Sequence, residues 1–335
     1  MRWGGRVFPV VDTHADSLLQ VLEGKRHLGE RSPLGQLDWP RMAEAGWNLQ
    51  FFSCWVEPQY KPEQALGQLL RFLDQFWLEV ETYPGLARVV TDIAGLDAIV
   101  ESDGVGAILS IEGSEGLGTD LARLRLCYRL GVRLVSLTWN ERNSLADGAG
   151  EDPGAGGLSR AGRALVAEMN RIGMMVDVSH LAEAGFWDVL ELSTAPVIAS
   201  HSNCRRLTAH VRNLSDGQIR ALAKAGGVQG ITFVREFLGG SEDIDRVIDH
   251  MWHALDVVGD DTHLGLGSDF DGVDHPVGGL ADVTALPRLI ERMSQRGLSA
   301  DSIARIGGGN YINLIRSAWE RPSPLVAGLR DPLAE

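Results

Sequence analysis

Short apolar runs alternate with amphipathic segments along most of this chain. The runs fall at 7–12, 49–56, 105–111, 132–137, 174–178, 196–200, 227–233 and 263–267. Each is rich in β-branched residues and bounded by glycine, proline or polar residues, the pattern of a strand buried on both faces. Between them lie helical periodicities. The clearest spans 241–258, where Ile244, Val247, Ile248, Met251, Trp252, Leu255 and Val258 share one face. Ser215 followed by Gln218 makes a capping box that starts a helix to about Ala225. Segments 160–171 and 181–192 give two more helices.

Strands alternating with helices predict a parallel sheet. Eight such units in 335 residues predict an α/β protein of the (β/α)8 TIM-barrel class, one catalytic domain over 1–335. The alternative, a doubly wound open sheet, lacks support: no G-x-G-x-x-G turn follows the first strand and there is no Walker A motif. The Gly-rich stretch 143–162 reads as a long loop after the fourth strand, either a flexible insertion or a lid. The segment 321–335 holds three prolines and reads as a tail or an oligomer contact.

The charge balance changes the list of partners. With 31 basic against 45 acidic side chains, the net charge is −14. Such a surface repels phosphate backbones, which excludes a nucleic-acid partner and argues against an anionic membrane surface. No apolar run reaches the length of a membrane span, and 7–11 is too short for a signal-peptide core. Cys54, Cys127 and Cys204 are odd in number and widely spaced, so no disulfide framework is expected. The expected setting is therefore reducing and cytoplasmic.

In such barrels the chemistry sits at the C-terminal ends of the strands. Five predicted strands end in metal-ligating residues: Asp12-Thr13-His14-Ala15-Asp16, Ile111-Glu112, Asp177-Val178-Ser179-His180, Ser200-His201-Ser202 and Ser268-Asp269-Phe270-Asp271. Imidazoles and carboxylates converging on one mouth suit zinc or a similar divalent ion. Three histidines with an aspartate and a glutamate exceed one open tetrahedral site, but fit two ions if a carboxylate bridges them. Glu115 competes with Glu112, and Asp271 with Asp269; in each pair the residue nearer the strand end is preferred. His27, His210, His250, His253, His263 and His275 fall elsewhere and read as solvated or structural.

Together with Leu137-Thr138-Trp139-Asn140, these motifs resemble the renal (membrane) dipeptidase family of dinuclear zinc metallopeptidases, in order and spacing over about 8–316. The resemblance implies an amidohydrolase-like barrel with two Zn2+ ions. His14 and Asp16 would hold one, His180 and His201 the other, with Glu112 bridging. It implies Asp269 as the acid/base carboxylate, and Arg212 as the group that grips the substrate's terminal carboxylate. It implies attack of a metal-bridging hydroxide on dipeptides, including those with a C-terminal D-residue, and a homodimer. The chain departs from the pattern at Trp139, where the mammalian enzyme has an oxyanion-stabilising histidine; an indole N–H donates a hydrogen bond but carries no charge. That enzyme's secretion signal, lipid anchor and disulfides have no counterpart here. The alternatives are another amidohydrolase, acting on an N-acyl amino acid, lactone or cyclic amide, or a non-catalytic barrel.

Overall fold

A computed structural model of the chain describes residues 1–102, 104–320 and 325. The proposed tail at 321–335 lies, Leu325 apart, outside the described residues. Eight parallel strands form the central sheet: β1 (Val11–Ala15), β2 (Leu49–Trp55), β3 (Gly106–Glu112), β4 (Val132–Ser136), β5 (Met175–Asp177), β6 (Val197–Ala199), β7 (Val228–Ile231) and β8 (Leu264–Leu266). Each pairs with the next, and β8 pairs with β1, so the sheet closes into a (β/α)8 barrel. A short strand, Arg88–Val89, adds to β3 from outside the ring.

The first predicted strand is shifted. Arg6–Val7 belongs to an antiparallel hairpin with Arg2–Trp3, and the barrel strand begins only at Val11. Pro9 offers no N–H to a sheet ladder, which separates the two. The true strand runs on through Asp12, Thr13 and His14, polar residues that apolar patterning cannot count.

The period-two alternation of strands decides what reaches the lumen. On β3, Ala107, Leu109 and Ile111 pack outward against the helical layer, while Ile108, Ser110 and Glu112 face inward. Glu112 therefore ends the strand pointing into the mouth. The base of the lumen is filled by Val11, Leu49, Phe51, Ile108, Leu134, Met175 and Ile198, and sealed by Tyr311 and Ile315 of the helix Asn310–Trp319. Tyr311 demands space: a Cβ at Gly265 would lie 2.2 Å from its ring, and one at Gly230 would lie 2.7 Å from its hydroxyl. Glycine is required at both positions by this close approach.

The 143–162 segment is neither loose nor a lid. Leu145, Ala146 and Ala149 are buried. Asn143 folds the loop on itself, donating to the Leu137 carbonyl and accepting from the amides of Leu145 and Ala146. Ala149 N–H donates to the His180 carbonyl at 2.7 Å and Ala182 N–H to the Asp147 carbonyl at 3.0 Å. The loop is a buttress for the end of β5. Among the described residues no helix is long and apolar enough to cross a membrane, and the three cysteines are buried and unpaired with one another.

Candidate metal centre

Six residues meet at the C-terminal mouth: His14 and Asp16 after β1, Glu112 at the end of β3, His180 after β5, His201 after β6 and Asp269 after β8. None is more than 9% exposed. Glu112 lies at the middle. Its Oε2 is 3.4 Å from His14 Nε2, and its Oε1 is 2.8 Å from His180 Nε2 and 3.6 Å from His201 Nε2. His14 Nε2 also lies 3.5 Å from Asp16 Oδ2 and 3.8 Å from Asp269 Oδ1. The two carboxylate oxygens of Glu112 thus face two different sets of ligands.

The donor set fits cations. His14 Nε2 and Asp16 Oδ1 are buried with no hydrogen-bond partner. His180 Nε2 and His201 Nε2 point at each other 2.8 Å apart; with each ring protonated on Nδ1, two lone pairs meet there, and a shared cation relieves their repulsion. One ligand atom each from His14, Glu112 and His201 lie within 4.8 Å of one another, and so do those of His14, Asp16 and Asp269.

Electrostatics point the same way. Burial, with the charge of Glu112, lifts Asp16 to about 7, and burial lifts Asp269 to about 6 against the opposing pull of His14. Burial also pushes Glu112 up, but His14 and His180 outweigh it and hold Glu112 well below its usual range. Burial lowers His180 to about 3, helped by the Arg212 charge, and takes His201 well below its ordinary value. Both rings are therefore neutral near pH 7, the state in which imidazole binds a metal. His180 and Asp269 hold left-handed backbone at φ 64° and 65°, as does Asp271 at 66°. Such conformations cost roughly 1–3 kcal/mol each in non-glycine residues and gather at functional sites.

Asp271 is separated from Asp269 by its partners. Its carboxylate accepts from Arg26, from Ser17 Oγ and from the Gln36 amide, and both side chains of the Arg26–Asp271 pair are at most 1% exposed. It ties the loop after β8 to the loop after β1. Asp271→Ala leaves Arg26 buried and unpaired, so a loss of about 3–5 kcal/mol is expected in denaturant titration. A midpoint equal to that of the parent would show the pair to be dispensable. Glu115 turns away toward Lys61 Nζ, 3.5 Å distant, and takes no part in the cluster.

Arg212 is buried beside the centre. It donates to the His201 carbonyl at 3.1 Å, and its Nε–H has no acceptor. Trp139 forms a wall: its indole stacks on His180 with centroids 5.9 Å apart, and meets Trp55 at 5.3 Å. The Lys61 ammonium sits 5.4 Å from the Trp139 ring, and a cavity of about 700 Å3 beside it is lined by Lys61, Glu115, Arg123, Glu141 and Asn143. Sequence reasoning missed Trp55 and Lys61, because β2 ends at Trp55, followed by Val56, with no histidine or carboxylate there to draw attention. It also missed what holds the rings: His180 Nδ1–H donates to Asn140 Oδ1 at 2.8 Å, and Asn140 was visible only as a neighbour of Trp139.

A closed parallel barrel with buried imidazoles and carboxylates gathered at its C-terminal mouth defines a metal-dependent hydrolase. Over residues 5–323 the sequence matches the membrane dipeptidase family, peptidase family M19, and the chain belongs to that family. It is a peptide-bond hydrolase of the metallopeptidase kind. Dipeptidase verJ of Clonostachys rogersoniana is 38% identical over 267 residues, 79% of this chain and 68% of that protein. A crystal structure of a family M19 metallopeptidase, dipeptidase AC, superposes with a TM-score of 0.88 at 32% identity, covering 94% of this chain and all of that one. A metallopeptidase from Rhodobacter sphaeroides, liganded with a phosphinate mimic of the dipeptide L-Ala-D-Ala, gives 0.87 at 31% identity, with 94% and 100% coverage.

Proposed function

We propose that this chain is a cytoplasmic zinc dipeptidase with two ions per site, acting on dipeptides that include a C-terminal D-residue. The observation that carries the reading is the placement of Glu112, with one carboxylate oxygen toward His14 and the other toward His180 and His201. His14 and Asp16 would hold one ion, His180 and His201 the other, and Glu112 both. Ions held there supply Lewis-acid polarisation of the scissile carbonyl and a water that ionises near neutral pH.

The chain's own groups do the rest. Asp269, lifted by burial to about 6, can hold a proton at one moment and release it at the next near neutral pH. It accepts the proton of the attacking water and delivers it to the leaving amine. Arg212 offers its unpaired Nε–H and its fork geometry to the substrate's terminal carboxylate. Trp139 and Trp55 wall the site against water, and the cavity along Lys61 and Glu141 gives room for a side chain. Acceptance of a D-residue is supported by the L-Ala-D-Ala mimic held by the Rhodobacter sphaeroides relative.

The test is turnover of a panel of L,L and L,D dipeptides, with N-acyl amino acids as a separate arm and metal content measured on the same sample. Zinc near two equivalents with dipeptide cleavage, abolished by chelator and restored by zinc, is expected. A zinc-loaded protein that cleaves only N-acyl amino acids, or nothing, would overturn the dipeptidase reading.

A further inference from the structure

His201 is aimed by a directed chain of hydrogen bonds that ends on a buried carboxylate. Its Nδ1 lies 2.7 Å from Ser200 Oγ, and Ser200 Oγ lies 2.5 Å from Asp177 Oδ2. All three residues are buried, Ser200 and His201 completely. The other oxygen of Asp177 is already committed: Oδ1 accepts from the amides of Ser179 at 2.9 Å and Ser200 at 3.0 Å. A carboxylate can only accept, so the hydroxyl of Ser200 must point to Asp177. The Ser200 oxygen is then left to accept, and His201 must carry its proton on Nδ1. That leaves the Nε2 lone pair free, facing Glu112 and His180.

We propose that Asp177 is a positioning residue of the metal centre, which fixes the tautomer of His201 through Ser200. The inference rests on His201 being a metal ligand, as in the reading above. It assigns a task to an aspartate that makes no contact with the ligand cluster except through this serine and the backbone. Partners that orient a ligating imidazole in this way typically affect metal affinity by about 10–100-fold.

The polarity of the chain gives a test that simple loss of packing does not mimic. In Asp177→Asn the two backbone amides at Oδ1 require the amide oxygen there, because an NH2 group would face two donors. The NH2 is therefore forced onto Ser200 Oγ. Ser200 must now donate onward, and its nearest acceptor is His201 Nδ1 at 2.7 Å, against Ser179 Oγ at 3.3 Å. The near-isosteric change thus reverses the chain and moves the His201 proton to Nε2, where it blocks the metal.

The experiment uses the full chain with 15N-labelled histidine, before and after chelation, with tautomers read from two-bond 15N–1H couplings. Zinc affinity is measured in parallel by competition with a chromogenic chelator. The parent should show His201 protonated on Nδ1. Asp177→Asn should show it on Nε2, with zinc affinity down about 10–100-fold at one of two sites, while His180 keeps its proton on Nδ1 toward Asn140. The double variant Asp177→Asn with Ser179→Ala removes the competing acceptor and should make the switch complete. Ser200→Ala keeps the two backbone amides on Asp177 Oδ1 and removes the relay hydroxyl, at a cost in stability from the unpaired Oδ2, so the folded variant should populate both tautomers. An Nδ1–H signal retained in both Asp177→Asn and the double variant would overturn the proposal. Should Asp177→Asn fail to fold, an unchanged tautomer and zinc affinity in Ser200→Ala would overturn it equally. Failure of the dipeptidase reading would appear differently, as a tautomer that switches as described in a protein that cleaves no dipeptide.

Discussion

Glu112→Gln is expected to empty the metal centre and to lower kcat/KM on any dipeptide substrate by at least about a thousandfold, on the order of 4 kcal/mol of transition-state stabilisation. Glu112 faces His14 with one oxygen and His180 and His201 with the other, so an amide in its place loses the charge and offers one acceptor instead of two. The effect should extend to both ions together, since neither set of histidines keeps its shared carboxylate. A second readout comes from His14. Glu112 is the largest influence opposing the burial of that ring, and with Asp16 it raises His14 well above the usual histidine range. In the metal-free variant His14 should titrate at lower pH than in the metal-free parent, visible by NMR. A variant that retains two equivalents of zinc would remove Glu112 from the bridging position.

Asp269→Asn should do something different. Metal content is expected to stay at the parent level while kcat falls by about 10²–10⁴-fold, the usual contribution of a positioned proton carrier. An asparagine keeps the size and one acceptor but cannot take a proton from water or pass it to an amine. Asp269 Oδ1 is 3.8 Å from His14 Nε2, close enough to be a ligand instead, and the experiment separates the two roles. Loss of zinc along with activity would make Asp269 a metal ligand. Parent-like turnover would leave it with neither role.

Much of this was legible in the sequence, for a physical reason. Parallel barrel strands are short, apolar and buried on both faces, so their runs stand out. The residue that follows each run lands at the mouth whatever the loop does next. His14, Glu112, His180, His201 and Asp269 were readable on that ground, and all of them meet at one end of the barrel. The register of β1 was not readable, because the strand continues through the polar residues Asp12, Thr13 and His14 and Pro9 interrupts the apolar run ahead of it. The buttressing role of 143–162 was hidden because glycine-rich composition records backbone freedom, not the hydrogen bonds that remove it. The separation of Asp269 from Asp271 needed Arg26, some 240 residues away in sequence and brought near only by barrel closure. Trp55 and Lys61 were silent because neither is a metal-ligating type, and only proximity to Trp139 gives them meaning.

Thr13 Oγ1 lies 2.7 Å from the Ser200 carbonyl and 3.1 Å from both the Leu266 carbonyl and the Tyr311 hydroxyl, so one side chain laces three staves of the barrel to the helix beneath it. The residues gathered at the mouth end at position 269, yet the plug beneath them arrives only at 310–319. During synthesis the cation cradle therefore gains its floor only once the helix Asn310–Trp319 has been made, about forty residues after Asp269. Metal capture should accordingly wait for that helix rather than begin as soon as residue 269 is exposed.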